Sequence, residues 1–327
     1  MGSFSFNTTP GIRFGNQSVS NNIEEIKKCL GERILFITDK GIINLGLGES
    51  TISKLRKLSE LVVIFDEVEA DPSLNILEKA INFGKRNRCT GVIGFGGGSS
   101  MDVAKLTALI LGSGEELDSA WGVGVAHGPR LPLVLVPTTA GTGSEVTPVS
   151  IITVAENEKR GISSPIILPD LAILDPLLTK DLPKKITAAT GVDAMVHAIE
   201  AFSSKNINNN LMSRMYAIQA LKLLVTSIDE AVFHGDNENA RANMLQGSMF
   251  AGIAFANSPV AAVHALAYPI GGIFHIPHGL SNALILPHVL RFNRFDQKAA
   301  SAYAELCDYI WPFKDQKKDI QYKSSFF

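Results

Sequence analysis

Cysteine is scarce. Cys29, Cys89 and Cys307 are the three in 327 residues. They are widely spaced, odd in number and form no Cys-x-x-Cys pair, which argues against a cysteine zinc site or a disulfide framework. An excess of one charge is also missing, since 30 basic and 32 acidic residues leave a formal net charge of -2. That balance gives no basic footprint for nucleic acid. There is no uncharged apolar tract of about 18 residues or more, the length a membrane span needs. Stretches such as 244–266 are broken by Gln246, Asn257, Ser258 and Pro259. Met1–Pro10 lacks a basic stretch leading into an apolar one, so no secretory signal is expected. Together these absences predict a soluble, cytoplasmic protein with neither a nucleic-acid nor a membrane partner.

What is present suits a globular chain. Hydrophobic residues make up 46% and charged residues 19%, enough apolar material for two cores. In the first half, Arg33–Thr38, Leu61–Phe65, Gly91–Phe95 and Pro132–Val136 are short, almost continuously apolar runs rich in β-branched residues. Such runs fit strands buried on both faces. Segments of helical length, Leu74–Arg86 and Asp102–Ile110, lie between them. The alternation predicts a doubly wound α/β domain with a parallel sheet. After Asp181–Leu182–Pro183 the pattern changes. Ile186–Ser203, Leu211–Phe233 and Ala240–Ala256 are long and rich in Ala, Met and Leu, which predicts helices. The expected domains are therefore 1–182, α/β, and 183–327, helical.

Four features carry candidate chemistry. Gly96–Gly97–Gly98–Ser99 follows a strand and opens a helix, where free amides and the helix dipole favour an anion such as phosphate. The plainer reading is a tight strand-to-helix turn. Pro137–Glu145 follows the next strand and holds hydroxyls at Thr138, Thr139, Thr142 and Ser144. These can donate to a pyrophosphate or a nicotinamide amide, or simply line a polar loop. Asp39 closes the strand 33–38, where an acid can bind a ribose diol or cap the next helix.

The fourth is metal-like. Asp193 and His197 are four apart in a helical segment and so share one face. Alone they are equally well a hydrogen-bonded surface pair. His264, in an apolar run, and His278, after Ile276–Pro277, add two more donors. Three imidazoles and one carboxylate suit a borderline divalent ion such as iron(II) or zinc.

Taken together, Gly96–Lys105 (GGGSSMDVAK), Val136–Pro148 (VPTTAGTGSEVTP), Gly191–Glu200 (GVDAMVHAIE) and Val263–Gly279 (VHALAYPIGGIFHIPHG) resemble the iron-containing, or group III, alcohol dehydrogenase family. The resemblance implies a Rossmann-like domain followed by an all-helical one, with the active site in the cleft between them. It implies metal ligands at Asp193, His197, His264 and His278, with iron(II) ahead of zinc. It also implies that Gly97–Ser99 hold a pyrophosphate, that Thr138, Thr139 and Thr142 line the cofactor, and that the chain assembles as dimers or larger. NAD is expected rather than NADP, because a carboxylate at Asp39 repels a 2'-phosphate. The substrate class is a small alcohol or its aldehyde. Rival readings are a glycerol dehydrogenase or dehydroquinate synthase of the same fold, or a catalytically silent chain that binds nucleotide or metal. His278 and the TTAGTGSE loop favour the alcohol dehydrogenase branch.

Two departures stand out. Several relatives carry a histidine four residues after the third ligand; here that position is Tyr268, the candidate proton relay. A phenol's ordinary pKa of about 10 makes it a weak base at neutral pH. The chain also ends at Ser324–Ser325–Phe326–Phe327 with no helix stop signal, whereas the family continues into further helices. A shortened helical domain with part of its apolar face open to water is the expectation.

Overall fold

The structure is a computed structural model that describes residues 3–156, 158–274 and 276–310. The chain end at Ser324–Phe327 lies outside the described residues. Asn7–Asp181 form one compact unit; the chain from Leu182 onward, with the few residues before Asn7, forms another.

In the Asn7–Asp181 unit the strands are β1 (Gly11–Phe14), β2 (Arg33–Ile37), β3 (Leu61–Phe65), β4 (Gly91–Gly96), β5 (Gly122–Val123), β6 (Leu133–Pro137), β7 (Val149–Ala155), β8 (Glu158–Ser163) and β9 (Leu171–Leu174). Its helices are α1 (Ser18–Asn21), α2 (Ile23–Leu30), α3 (Lys40–Asn44), α4 (Glu49–Leu58), α5 (Leu74–Arg86), α6 (Gly98–Ser113) and α7 (Leu117–Ala120). Six strands form one parallel sheet in the order β1-β9-β6-β4-β2-β3. Three of the four apolar runs become the interior strands β2, β4 and β6, as their composition predicts, while Leu61–Phe65 becomes β3 at the edge of the sheet and is only partly buried.

Successive side chains of a strand point to opposite faces, and the two cores divide accordingly. Leu35, Ile37, Val92, Leu133 and Leu135 pack on one face with residues of α5 and α6. Ile34, Phe36, Ile93, Phe95, Val134 and Val136 pack on the other with residues of α2 and α4. The helices that leave β2 and β4 therefore cover opposite faces. In doubly wound sheets such a reversal opens a crevice at the carboxyl ends of the two strands. Asp39 and Gly96–Ser99 sit at those ends. Two features were not read from the sequence: β1 with β9, which extend the sheet, and the antiparallel pair β7–β8, joined by β5 in a three-stranded sheet.

The other unit holds α8 (Lys184–Ser203), α9 (Leu211–Phe233), α10 (Glu238–Asn257), α11 (Ala262–Phe274), α12 (His278–Asn293) and α13 (Gln297–Ile310). Local signals set the ends. Asn210 and Ser213 make a reciprocal capping box for α9. The Asn237 side chain accepts from Ala240 N to cap α10, and Pro277 precedes α12. Gly279 allows the first turn of α12 to press on α8, since a β-carbon there would lie 2.2 Å from the Ala189 carbonyl oxygen. On α11 and α12, Leu266, Ile273, Phe274, Leu284 and Phe292 are exposed apolar residues. No single helix among the described residues is long and apolar enough to cross a membrane.

Candidate metal centre and nucleotide-binding loops

The buried face of α8 presents Asp193, His197 and Glu200, at helical spacings of four and then three residues. His264 comes from the first turn of α11, and His278 is the first residue of α12. Asp193 Oδ1 lies 3.8 Å from His264 Nε2 and 3.6 Å from His278 Nε2. The ligand atoms of these three side chains all lie within 4.8 Å of one another. Metal bonds of 2.0–2.1 Å at a tetrahedral angle set donor atoms about 3.3–3.4 Å apart. The donor set suits a divalent ion, and the two Asp193–histidine spacings exceed the tetrahedral value by only about 0.2–0.5 Å.

A second observation marks the same point. The Asn282 amide nitrogen donates to Asp193 Oδ1 at 2.6 Å and lies 3.2 Å from both His264 Nε2 and His278 Nε2. Three acceptors thus converge on one donor, the arrangement a cation would exploit. Asn282 is fully buried, and its Oδ1 has no hydrogen-bond partner. His278 is the open side, with 31% of its side chain exposed against 3% for Asp193 and His264.

Electrostatics favours ligand-competent forms. Burial alone would raise the Asp193 carboxyl, but His197, His278, His264 and the Asn282 hydrogen bond together hold it below the usual carboxylate range. Burial lowers His197 to about 4, so its imidazole is neutral at physiological pH. His197 is not one of the three converging side chains. Its ring stacks on His264 at 4.6 Å and on Phe255 at 4.4 Å, and its buried Nδ1 has no hydrogen-bond partner. Tyr268 lies one turn beyond His264, its ring stacked on His278 at 5.5 Å.

Sequence reasoning passed over Glu200 and Asn282. The signal was present: Glu200 is seven residues after Asp193 and Asn282 four after His278, each on its ligand's helical face. Glu200 binds His264 Nδ1 at 2.7 Å. Burial would raise this carboxyl as well, but His264 and the backbone amides of Ala261 and Val263 outweigh it and hold it low.

The nucleotide candidates gather at the ends of β2, β4 and β6. The glycine turn Gly96–Gly98 leads into α6, whose N-cap, Gly97, offers no capping side chain. The second loop packs directly on it: a β-carbon on Gly98 would come within 2.8 Å of Thr142 Cγ2, and one on Gly97 within 3.6 Å of Thr139 Cγ2. Thr138 is buried at the start of that loop. Asp39 is the N-cap of α3, its Oδ1 accepting from Ile42 N at 3.0 Å. Its Oδ2 faces the glycine turn, 3.4 Å from a β-carbon position on Gly96. The capping reading and the orientation toward the glycine loop therefore coexist.

Beneath the loops lies a buried polar knot. Lys105 Nζ donates to Ser144 Oγ at 2.8 Å and to the Val149 carbonyl at 2.7 Å. Asp102 accepts from Ser144 Oγ at 2.8 Å and from Ile151 N at 3.0 Å. Burial lowers Lys105 to about 8. Burial also raises Glu145 to about 7, against the weaker pull of its own backbone amide and of Lys105.

Known proteins align with this arrangement along most of the chain. A family model described as iron-containing alcohol dehydrogenase matches residues 9–176. One described as the C-terminal part of the Fe-containing alcohol dehydrogenase family matches residues 187–322. Long-chain-alcohol dehydrogenase 1 of Geobacillus thermodenitrificans is 42% identical over 275 residues, 83% of this chain and 69% of its own length. The 1,3-propanediol dehydrogenase of Citrobacter freundii is 38% identical over 286 residues, 86% of this chain and 73% of its own. Among solved structures, an alcohol dehydrogenase from Oenococcus oeni superposes with a TM-score of 0.88 at 33% identity, covering 93% of this chain and 80% of that one. Sequence motifs, fold and relatives agree, and the chain belongs to the iron-containing alcohol dehydrogenase family.

Proposed function

We propose that the chain is an NAD-dependent, metal-dependent dehydrogenase that interconverts small primary alcohols and their aldehydes. The carrying observation is the convergence of Asp193 Oδ1, His264 Nε2 and His278 Nε2 on one point. Family membership implies a divalent metal and NAD(H). Asp193, His264 and His278 hold the metal, with His197 beside them as the fourth ligand. The neutral state of His197 supports that role, because only an unprotonated imidazole nitrogen can bind a metal. Iron(II) is favoured over zinc on the family's name, although the mixed donor set suits both.

When bound, the metal supplies Lewis acidity to the substrate oxygen, and the nicotinamide supplies the hydride chemistry. The protein's own residues orient and exclude. The amides at Gly97–Ser99 and the hydroxyls of Thr138, Thr139 and Thr142 hold the cofactor, with the pyrophosphate at the start of α6. Asp39 Oδ2 accepts from the ribose diol and disfavours a 2'-phosphate, which supports NAD over NADP. Tyr268, against His278, hydrogen-bonds the reacting oxygen and passes its proton outward. A phenol does this as a relay rather than as a strong base. Relatives named for long-chain alcohols, 1,3-propanediol and methanol support a primary alcohol as substrate. The scarcity of cysteine and the family likeness support a cytoplasmic homodimer.

The test is turnover of butanol, 1,3-propanediol and short aldehydes with each nicotinamide cofactor, on protein loaded with Fe(II) or Zn(II). Chelation should abolish activity, and added metal should restore it. Chelator-resistant turnover, or metal content unchanged in Asp193→Ala and His264→Ala, would refute the assignment.

A further inference from the structure

Glu200 is buried on α8, and its carboxylate is engaged on every side. Oε1 accepts from Val263 N at 2.7 Å, and Oε2 accepts from Ala261 N at 3.0 Å. Oε2 also pairs with His264 Nδ1 at 2.7 Å. Glu200 therefore holds the first turn of α11 by two amides and one imidazole. A helix start presents free N–H groups and the positive end of the dipole, so a carboxylate is at home there.

The chemistry of these contacts fixes a proton. A carboxylate that accepts from two backbone amides is an acceptor, so its imidazole partner must donate. The proton of His264 then sits on Nδ1, and the Nε2 lone pair is free. The far side of the ring agrees independently: Asn282 Nδ2, a donor, lies 3.2 Å from His264 Nε2. Both faces of one ring thus call for the same tautomer.

We propose that Glu200 is the positioning residue of the metal site: it locks His264 in the Nδ1–H tautomer and aims Nε2 at the point shared with Asp193 and His278. This rests on the reading of those three side chains as metal ligands. A carboxylate behind a ligating histidine fixes ring orientation and raises ligand basicity, and its removal typically weakens metal binding by about 10–100-fold. Glu200 touches neither substrate nor cofactor in this role. It also ties two ligands to one helix: Asp193 directly, and His264 through the turn that Glu200 grips.

The experiment has two readouts. Zn(II) affinity is measured by chelator competition on the metal-loaded wild type, Glu200→Ala, Glu200→Gln and His264→Ala. The tautomer is read from imidazole nitrogen chemical shifts of histidine-labelled, metal-free protein, with His264→Ala identifying the signals. Wild type should show the proton on His264 Nδ1. Glu200→Ala should lose about 10–100-fold in Zn(II) affinity and populate the Nε2–H form. Glu200→Gln, which keeps an acceptor for His264, should recover part of the loss. Wild-type affinity in a folded Glu200→Ala overturns the inference. So does a wild-type His264 protonated on Nε2, a result that stands even if the alanine variant does not fold. Loss of metal from His264→Ala with none from Glu200→Ala refutes only the role of Glu200. Unchanged binding in His264→Ala refutes the ligand assignment itself.

Discussion

Glu145→Gln gives a direct reading of what the buried knot costs. The Glu145 side chain is 1% exposed as a residue, and its Oε1 lacks a hydrogen-bond partner. Burial raises its carboxyl from 4.5 to about 7. Between those two values the unfolded chain has lost its proton while the folded chain keeps it. Folding then takes up a proton, so stability falls as pH rises. The loss begins near pH 4.5 and is complete just above pH 7. At about 1.4 kcal/mol per pH unit, the gap amounts to about 3 kcal/mol. Lys105, lowered to about 8 from 10.5, acts in a different window: its buried ammonium is costly below about pH 8, and that cost is relieved as pH rises further. Measurements at pH 5.0 and 7.5 therefore report Glu145 with little contribution from Lys105. Glutamine imitates the protonated acid and cannot ionise. Any cost of its unpaired amide is the same at both pH values. About 2.4 kcal/mol of that gap falls between the two pH values, so with a urea slope of about 2 kcal/mol per molar the wild-type unfolding midpoint should fall by about 1.2 M more than that of Glu145→Gln. Equal falls would show that Glu145 ionises freely in the folded protein and that the burial argument is wrong.

Other expectations follow from single contacts. Asp39→Gly should raise kcat/KM with NADP relative to NAD by about tenfold or more, given about 1–4 kcal/mol of repulsion between unit charges near 4 Å; an unchanged cofactor ratio would show that Oδ2 does not meet the ribose. Gly279→Ala places a methyl 2.2 Å from the Ala189 carbonyl oxygen, so α12 must shift. That should cost about 1–3 kcal/mol and weaken Zn(II) binding through His278, and calorimetry with chelator competition checks both. Burial raises the Cys29 and Cys89 thiols from 9.0 to about 11. Each should react with iodoacetamide at pH 7.5 about a hundredfold more slowly than a free thiol, because two pKa units remove that factor of thiolate; rapid labelling of either in the native protein refutes this.

The parallel sheet was legible because β2, β4 and β6 are apolar without interruption, a pattern that burial on both faces produces and solvent-facing strands do not. β1 and β9 were missed for the opposite reason. Each has four residues, too short for periodicity to register, and their pairing is set by distant partners. α9 was readable residue for residue, because Asn210 and the polar His234–Asn237 connector bracket a continuous run. In the candidate site, Asp193, His264 and His278 were legible as donors in the sequence, and the fold brings their ligand atoms together. Glu200 and Asn282 were not, because both act by hydrogen bonding to other side chains, and a glutamate or asparagine on a helix face has many uses. The asymmetry between His197 and the other three candidates was also invisible in sequence: spacing places it on the right face but says nothing of the stacking on Phe255 and His264. Tyr268 was visible as a substitution within a motif, while its packing on His278 is set by how α11 and α12 meet.

Lys105 has a consequence for redesign. It lies seven positions after Gly98 on α6, and it reaches Ser144 within the hydroxyl-rich loop and Val149 just beyond it. Asp102 ties the same segment to the same helix. Residues 96–105 and 137–151 are thus a single cassette, keyed together by a buried lysine. Replacing either half with a segment that lacks the matching residue would leave an ammonium or a carboxylate without its counterpart. Buried charges stripped of partners commonly cost several kcal/mol. Libraries that vary Lys105, Asp102 and Ser144 independently should therefore yield mostly unfolded clones, while those that keep the three together should survive.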